Sequence, residues 1–512
     1  MRSWMLSGPM DFLLTEVGDS MFLANALNAF WDGLIRQGSQ SGMNEIEFLE
    51  EELRRWLTSK KRADMLTGMA YYGDRQDIER KERMMIGPDG GRVAVHNLPN
   101  FRIMDNQYGI LVDQKNNYLL GKPVELKTEG QDDRYTAELD KIFDEEYTET
   151  LQATGENALN CGISWQFVYI DAEGQLRVRM LRGDRVLAFW RDDEHKQLDA
   201  ALYVYPVTVY RGRTPDTVIK CEYYTTNGVR YFVFENDKLL PDNDKTDAAY
   251  MTIEGQPMNW SRVPLIAFKR ERHEQPLICK VKCLQDALNQ LTSWFADTTS
   301  EDIRSTILVL YNYDGERLSD FRRNLMAYGA IKIRRDDGQN GGVEALHIEV
   351  NPQNFELIQK LLKRAIIENG RGFDAKDERF TSGDANKMNI QAAYSDIDLD
   401  ANQMETQFKA SLRTLMWFVN TYLQTIKGVA PTSDVTFVFN RDMLTNESET
   451  ITNCRNSVGI ISNETIVANH PWTEDTQQEL ERLKKEKQEA MDDLMGGDYA
   501  APPGQEKQPQ GE

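Results

Sequence analysis

Histidine, cysteine and long apolar runs are all scarce in this chain of 512 residues, and each scarcity removes a class of function. The 5 histidines, His96, His195, His273, His347 and His470, stand singly, and no GxSxG or HExxH stretch occurs. A triad hydrolase or a zinc protease therefore has no motif to rest on. The 5 cysteines, Cys161, Cys221, Cys279, Cys283 and Cys454, are odd in number and widely spread, which suits a reducing compartment better than a disulfide framework. Cys279 and Cys283 lie four apart on one helical face, but no second Cys or His pair is near them in sequence. They read as helix packing, and neither a metal nor a cofactor is expected. No apolar run approaches the roughly 18 residues of a membrane span, and Asp11, Glu16 and Asp19 come too early for a signal peptide. Neither a membrane-spanning nor a secreted protein is expected. Gly121-Lys122 resembles the end of a phosphate loop, yet Pro123 stands where Ser or Thr is needed and Asn116 where the first Gly belongs. Basic charge is short as well: 60 Lys and Arg face 82 Asp and Glu, a formal net charge of -22. That balance argues against wrapping duplex DNA on a basic face, though not against a surface past which DNA slides.

What is present is enough for several domains with sizeable cores, at 40% hydrophobic and 28% charged residues. Residues 1–43 read as an N-terminal arm. From a cap at Asn44, "NEIEFLEEELRRWLTSKKRADMLTGMAYYGD" predicts two helices broken near Ser59, with acids early and bases late as helix dipoles favour. "IGPDGG" is a turn. "YGILVDQKNNYLLGKP" predicts a buried helix, with Gly121 as a left-handed cap and Pro123 forbidding continuation. After helical "TAELDKIFDEEYTETLQATGENAL", Cys161 to Phe268 alternates apolar and polar residues around short turns, the pattern of antiparallel strands.

Three long amphipathic helices follow. Leu277, Val281, Leu284, Leu288, Leu291 and Phe295 step by 4 and 3 along the first, after Pro276 at a plausible first turn. Asn351 caps the second, with Phe355, Ile358, Leu362 and Ala365 on one face and Gly370 at its end. Between them sits a small α/β insert whose hairpin tip spans Asp336 to Gly342. The third carries Phe408, Leu412, Leu415, Val419, Tyr422 and Ile426 at the same spacing. Asp396, Asp398 and Asp400 open like a calcium loop, but Ala401 and Gln407 replace its Gly and Glu, so they read as acids capping this helix. Lys360, Lys363, Arg364 and Arg371, followed by Lys376, Arg379 and Lys387, form the densest basic segment after "RRWLTSKKR". On sequence alone it is either a solvated face with local ion pairs or a contact for polyanions.

The order of these parts resembles the SPP1-like portal family of tailed bacteriophages. The residues that carry the likeness are "YYGDRQDI", "LPNFRIMDNQYGILVDQKNNYLLGKPV", "GISWQFVYIDAEGQL", "VPLIAFK", "LQDALNQLTSWFADTTSED" and "YSDIDLDANQMETQFKASLRTLMWFV", between about Asn44 and Glu489. The resemblance implies an α+β portal fold with a mixed α/β wing, long stem helices, a small α/β clip and a helical crown. On that plan residues 44–268 are the wing, 269–302 and 351–370 the stem helices, and 303–350 the clip. Residues 371–388 are then the tunnel loop, 389–443 the long wing helix and a strand, 444–495 the crown and 496–512 a disordered tail. It further implies a ring, usually of twelve subunits, at one vertex of the capsid, through which double-stranded DNA is packaged and ejected. The partners implied are further copies of the chain, the terminase motor, a head-completion or adaptor protein, and the major capsid and scaffolding proteins. The place implied is the virion, after assembly in the host cytoplasm, with no enzymatic activity. Lys360, Lys363, Arg364, Arg371, Lys376, Arg379 and Lys387 become candidates for the DNA channel, and Leu284, Leu288 and Leu291 for packing between subunits. Lys115, Asn116 and Asn117 are expected to hydrogen-bond within the wing or to a neighbour. The alternatives are another structural head protein, such as an adaptor or minor capsid component, and a metal-dependent nucleic-acid enzyme.

Overall fold

The computed structural model describes residues 44–86, 91–94, 96, 98–128, 133–253, 255–300, 307–311, 342–346, 352–374, 387–441, 447–473 and 476–495. The chain divides into two compact units, Met1–Asp374 with Ser395–Asp442, and Ala375–Tyr394 with Met443–Glu512. Residues 87–90 of the "IGPDGG" turn, 336–341 of the hairpin tip and 375–386 after Asp374 lie outside the described residues.

In the first unit, α1 (Glu45–Leu57) begins after the Asn44 cap, and α2 (Lys60–Tyr72) follows the break at Ser59. Asn44 Oδ1 accepts from the Glu47 N–H at 2.9 Å while Glu47 Oε2 accepts from the Asn44 N–H at 3.1 Å, a reciprocal box that satisfies two otherwise orphaned donors. Ser59 Oγ caps α2 in the same way. Two short strands, β1 (Met84–Ile86) and β2 (Arg92–Ala94), lead to α3 (Gln107–Leu120) and β3 (Glu125–Thr128). Helices α4 (Asp133–Ile142) and α5 (Glu145–Cys161) follow.

The strands then form two antiparallel sheets. One has the order β13 (Leu265–Lys269), β4 (Ile163–Ile170), β5 (Leu176–Leu181). The other has five strands, β6 (Val186–Trp190), β7 (Leu198–Arg211), β8 (Thr214–Thr225), β9 (Gly228–Glu235) and β10 (Lys238–Pro241), each paired with the next. Its period of two is visible in the core. Ala200, Leu202, Val204, Cys221, Tyr223 and Phe232 pack against Leu49 and Leu53 of α1, whereas Ala201, Tyr224, Val186 and Val229 pack with Trp165, Leu181 and Leu265 of the smaller sheet. Successive residues thus serve opposite faces, and the sheet is buried on both. A separate hairpin, β11 (Met251–Ile253) and β12 (Gln256–Met258), precedes β13.

Three long helices complete this part: α6 (Ile278–Ser300), α7 (Pro352–Gly370) and α8 (Lys387–Tyr422). Between α6 and α7, β14 (Ile307–Tyr311) pairs antiparallel with β15 (Gly342–Leu346). Along α8 the predicted stripe is buried at Phe408, Leu412, Leu415, Val419 and Tyr422. Phe408 meets Phe268 edge to face, and the Ser411 hydroxyl donates to the Ala267 carbonyl at 2.6 Å, so the stripe lies on β13. Ile426 leaves the stripe and is exposed, because Leu423–Lys427 form a π turn that rotates it outward. β16 (Val435–Val438) returns to pair with β3. In the second unit, α9 (Glu447–Asn456), α10 (Asn463–Ala468, capped by Ser462) and α11 (Thr476–Met495) are helical.

Two local expectations are corrected. Gly121 caps α3 in the right-handed region, at φ -67° and ψ -22°, not the left-handed one. Glycine is required there by space, since a Cβ would sit 2.3 Å from the Asn117 carbonyl oxygen. Asp396, Asp398 and Asp400 do not precede α8 but lie within it, so they cap nothing.

Candidate assembly and channel site

Helix α6 is held by a row of polar side chains that the sequence analysis passed over. Gln285, Asn289, Ser293 and Asp297 recur every four residues, and all are buried. They face the irregular segment 99–106 and bind alternate backbone N–H groups along it. Asp297 Oδ1 accepts from the Phe101 N–H at 2.6 Å, Ser293 Oγ from Ile103 at 2.9 Å, and Asn289 Oδ1 from Asp105 at 3.0 Å. Gln285 closes the row, accepting from the Tyr108 N–H at 3.1 Å and donating to the Asp105 carbonyl at 2.6 Å.

The match is geometric. Four helical residues rise about 6 Å, and two residues of extended chain advance about 6.6 Å, so each rung meets the next available donor. Half-buried backbone groups with no strand beside them find their partners here instead. At the end of the ladder Asp297 also takes Lys81 and Arg83, and Lys81 Nζ donates to the Phe101 carbonyl at 3.0 Å. The signal was legible as polar residues at i, i+4, i+8 and i+12, but the apolar 4-3-4 stripe drew the reading. That stripe is only partly a core: Val281 and Leu288 are buried, while Leu284, Leu291 and Phe295 are half-covered.

A second junction ties α7 to α3 and α8. Past Gly370 the chain turns through Arg371 at φ +53°, a left-handed conformation held by its surroundings. The Gln114 amide brackets the following residues, donating to the Phe373 carbonyl at 2.6 Å and accepting from its N–H at 2.9 Å. Lys115 Nζ, 4% exposed as a residue, donates to the Arg371 carbonyl at 2.9 Å and to Asp400 Oδ2 at 2.7 Å. Arg270 approaches the other Asp400 oxygen at 3.4 Å. Burial pulls the Lys115 ammonium down to about 8, outweighing the opposite pull of Asp400. Burial would raise Asp400, but the charges of Lys115 and Arg270 hold it below the usual carboxylate range. Asn116 donates to the Gln152 carbonyl at 3.1 Å. Two residues earlier along α8, Asp398 accepts from the Tyr118 hydroxyl at 3.1 Å and is paired with Arg441, which also reaches Glu405 at 2.6 Å. Asp398 and Asp400, read as helix caps, are therefore ion-pair partners for residues distant in sequence.

The predicted basic residues are placed as follows. Lys360 pairs with Glu356 at 2.9 Å, Arg364 with Glu368 at 2.7 Å, and Lys363 with Asp105 of the 99–106 segment at 2.7 Å. Arg371 sits in the turn after α7. Lys376 and Arg379 lie outside the described residues, and Lys387 opens α8 without a described side chain. Helices α6 and α7 pack together, with Phe295 and Phe355 stacked at 3.9 Å between centroids. The pair leaves apolar groups uncovered: Trp294 is 49% exposed, Leu357 57%, Ile358 44% and Leu361 56%. Leu288, by contrast, is fully covered within the single chain. Among the described residues no group of His, Cys, Asp or Glu is arranged to hold a metal ion, and no helix is long and apolar enough to cross a membrane.

What such an arrangement does chemically is fix register: its buried polar groups bind other parts of the chain, and its uncovered surface mixes Trp294, Leu357, Ile358 and Leu361 with the ion-paired Lys360 and Arg364. It is the centre of a structural protein with paired long helices. The chain belongs to the phage portal protein family described as SPP1 Gp6-like, whose sequence model matches residues 53–493. It is 29% identical over 431 residues to the portal protein of Bacillus phage SPP1, covering 82% of this chain and 83% of that one. To the portal protein of Clostridium phage phiCD119 it is 26% identical over 457 residues, covering 86% and 96%. Two solved structures are also similar. The neck of an empty GTA particle, computed with C6 symmetry, has 11% identity and a TM-score of 0.38 over 70% of this chain and 88% of that one. The neck of a native GTA particle, computed with C12 symmetry, has 14% identity and a TM-score of 0.34 over 71% and 89%. The portal protein family is structural, and membership makes this chain a portal protein of the phage head.

Proposed function

We propose that copies of this chain close into a ring, twelve by the habit of the family, around an axial channel through which double-stranded DNA enters and leaves the capsid. The observation that carries this reading is the match over residues 53–493 to portal proteins, joined to the apolar groups of the α6–α7 pair that one copy leaves uncovered. Trp294, Leu357, Ile358 and Leu361, with the half-covered Leu284 and Leu291, bury against a neighbouring copy, which removes an exposed apolar surface from water. Leu288 supports this contact from inside its own chain. The clip, residues 303–350, receives the terminase motor and later the head-completion protein, while the major capsid and scaffolding proteins meet the ring from outside.

DNA contact falls to the loop 371–388. Lys376, Arg379 and Lys387 alternate there with Asp374, Asp377, Glu378 and Asp384, a near-neutral mixture that favours brief contact over capture. Lys360, Lys363 and Arg364 reach phosphates only by leaving their present carboxylate partners, so their contribution is the smaller. The acidic remainder of the chain keeps duplex DNA from adhering to the channel wall.

The test is imaging and mass measurement of the purified chain, then packaging with the triple variant K376E/R379E/K387E. A ring with an open axial hole and reduced DNA per head in the variant is the expected result. A compact monomer at all concentrations overturns the ring. Wild-type DNA content in the variant removes the loop from the channel.

A further inference from the structure

The five-stranded sheet does not end where its neighbours end. β6 stops pairing with β7 at Val186↔Tyr203, and β9 stops pairing with β8 at Phe234↔Ile219. Beyond those points β7 and β8 continue as a two-stranded ribbon through Val207↔Val218, Thr208↔Thr217, Val209↔Asp216, Tyr210↔Pro215 and Arg211↔Thr214. Five residue pairs extend the ribbon by about 17 Å. It closes in a two-residue turn, with Gly212 at φ +72° where a type II′ geometry needs it. Within this ribbon Tyr210 is 73% exposed, and residues 212–217 are all exposed.

A lone hairpin of this length is marginal in water, and here Val207, Val209 and Val218 are only half-buried while Tyr210 and residues 212–217 are exposed. The sequence nevertheless keeps it as strand, with Val207, Thr208, Val209, Thr214, Thr217 and Val218 β-branched. One face presents Val207, Val209 and Val218, the other Tyr210 and Pro215, because paired residues share a face and alternate ones oppose. Pro206 and Pro215 each remove an N–H, which limits strand addition along the edges and leaves the faces as the contact surface. The segment 207–218 carries Arg211 and Arg213 against Asp216, so it is locally basic on a chain of net charge -22.

We propose that this hairpin is an arm that lies on the wing of the neighbouring copy in the assembled ring, with Tyr210, Val207, Val209 and Val218 covered there and its basic tip set against that net-acidic copy. The assignment rests on the ring reading above. A second copy is the occupant because the chain carries a net charge of -22, complementary to the basic tip.

The experiment uses the full chain. In one variant, residues 207–218 are replaced by Asn-Gly, joining Pro206 to Ile219, which already face each other across the ribbon. In a second, Tyr210 is replaced by the photo-crosslinker p-benzoylphenylalanine. The arm reading expects the shortened variant to keep the wild-type circular dichroism while half-assembly requires at least tenfold more protein. It also expects illumination of the second variant's rings to give chain-to-chain crosslinks. Rings from wild type with no crosslink between chains at Tyr210 overturn the arm alone, even where the shortened variant fails to fold. Wild-type assembly by a well-folded shortened variant does the same. A wild type that stays monomeric overturns the ring and, with it, the arm.

Discussion

Replacing Lys115 with Met should separate what the α3 junction contributes from what the rest of the wing supplies. The ammonium is buried and joins two elements far apart in sequence, the Arg371 carbonyl and Asp400. Met fills nearly the same volume, so packing is preserved while two charge-assisted bonds vanish. Asp400, itself 6% exposed, then keeps only Arg270 at 3.4 Å, and the Arg371 carbonyl loses this donor. Breaking one side of a buried pair costs about 3–5 kcal/mol, because the remaining charge stays out of water without its partner. With an m-value of about 3 kcal/mol/M, the urea midpoint should fall by about 1–1.7 M. The double variant K115M/D400L removes both charges and should recover most of that loss, since a buried pair replaced by apolar groups is often neutral. The pH dependence has a definite sign. The native state binds the Lys115 proton less tightly than the unfolded chain, at about 8 against an ordinary value of 10.5. Stability of the wild type relative to K115M should therefore rise with pH between those values. Urea titrations at several pH values, with limited proteolysis between Arg371 and Asp374, measure both effects. An unchanged midpoint in K115M, or no recovery in the double variant, would refute the pairing argument.

Burial alone would raise Glu274, but Lys61, His195 and Lys269 around it override that and hold it at about 2, so its contribution is full above about pH 4.5 and fades as pH falls toward 2; acid titration of E274Q should be flatter in that window. Gly155→Ala places a Cβ 2.3 Å from both Asn116 Oδ1 and Leu120 Cδ1, and the forced separation of α5 from α3 should cost about 1–3 kcal/mol in thermal or urea unfolding. Leu288→Asp buries a charge inside the single chain and should unfold it, whereas Leu361→Asp, on an exposed position, should keep the monomer's circular dichroism and reduce ring assembly by sizing; rings from L361D at wild-type concentration would place the subunit contact elsewhere.

The sequence by itself determined the elements whose signals are local. Asn44 and Ser59 announce helix starts through side-chain oxygens that reach their own first turn, and the alternation from Ile163 onward announces a sheet because each side chain takes the face opposite its neighbour's. The α8 stripe was equally legible, since a spacing of 3.6 residues needs no knowledge of what covers it. Family membership was legible for the same reason, being carried by stretches such as "VDQKNNYLLGKP". The role of that stretch was not. Gln114 and Lys115 act on Phe373, Arg371 and Asp400, more than 250 residues away, and nothing near them in sequence names those partners. The same holds for Gln285, Asn289, Ser293 and Asp297, whose buried face competes with an apolar stripe that pattern reading prefers. A polar side chain is stable in a core only when a particular donor or acceptor stands within about 3 Å, and the position of that partner is decided by the tertiary structure alone.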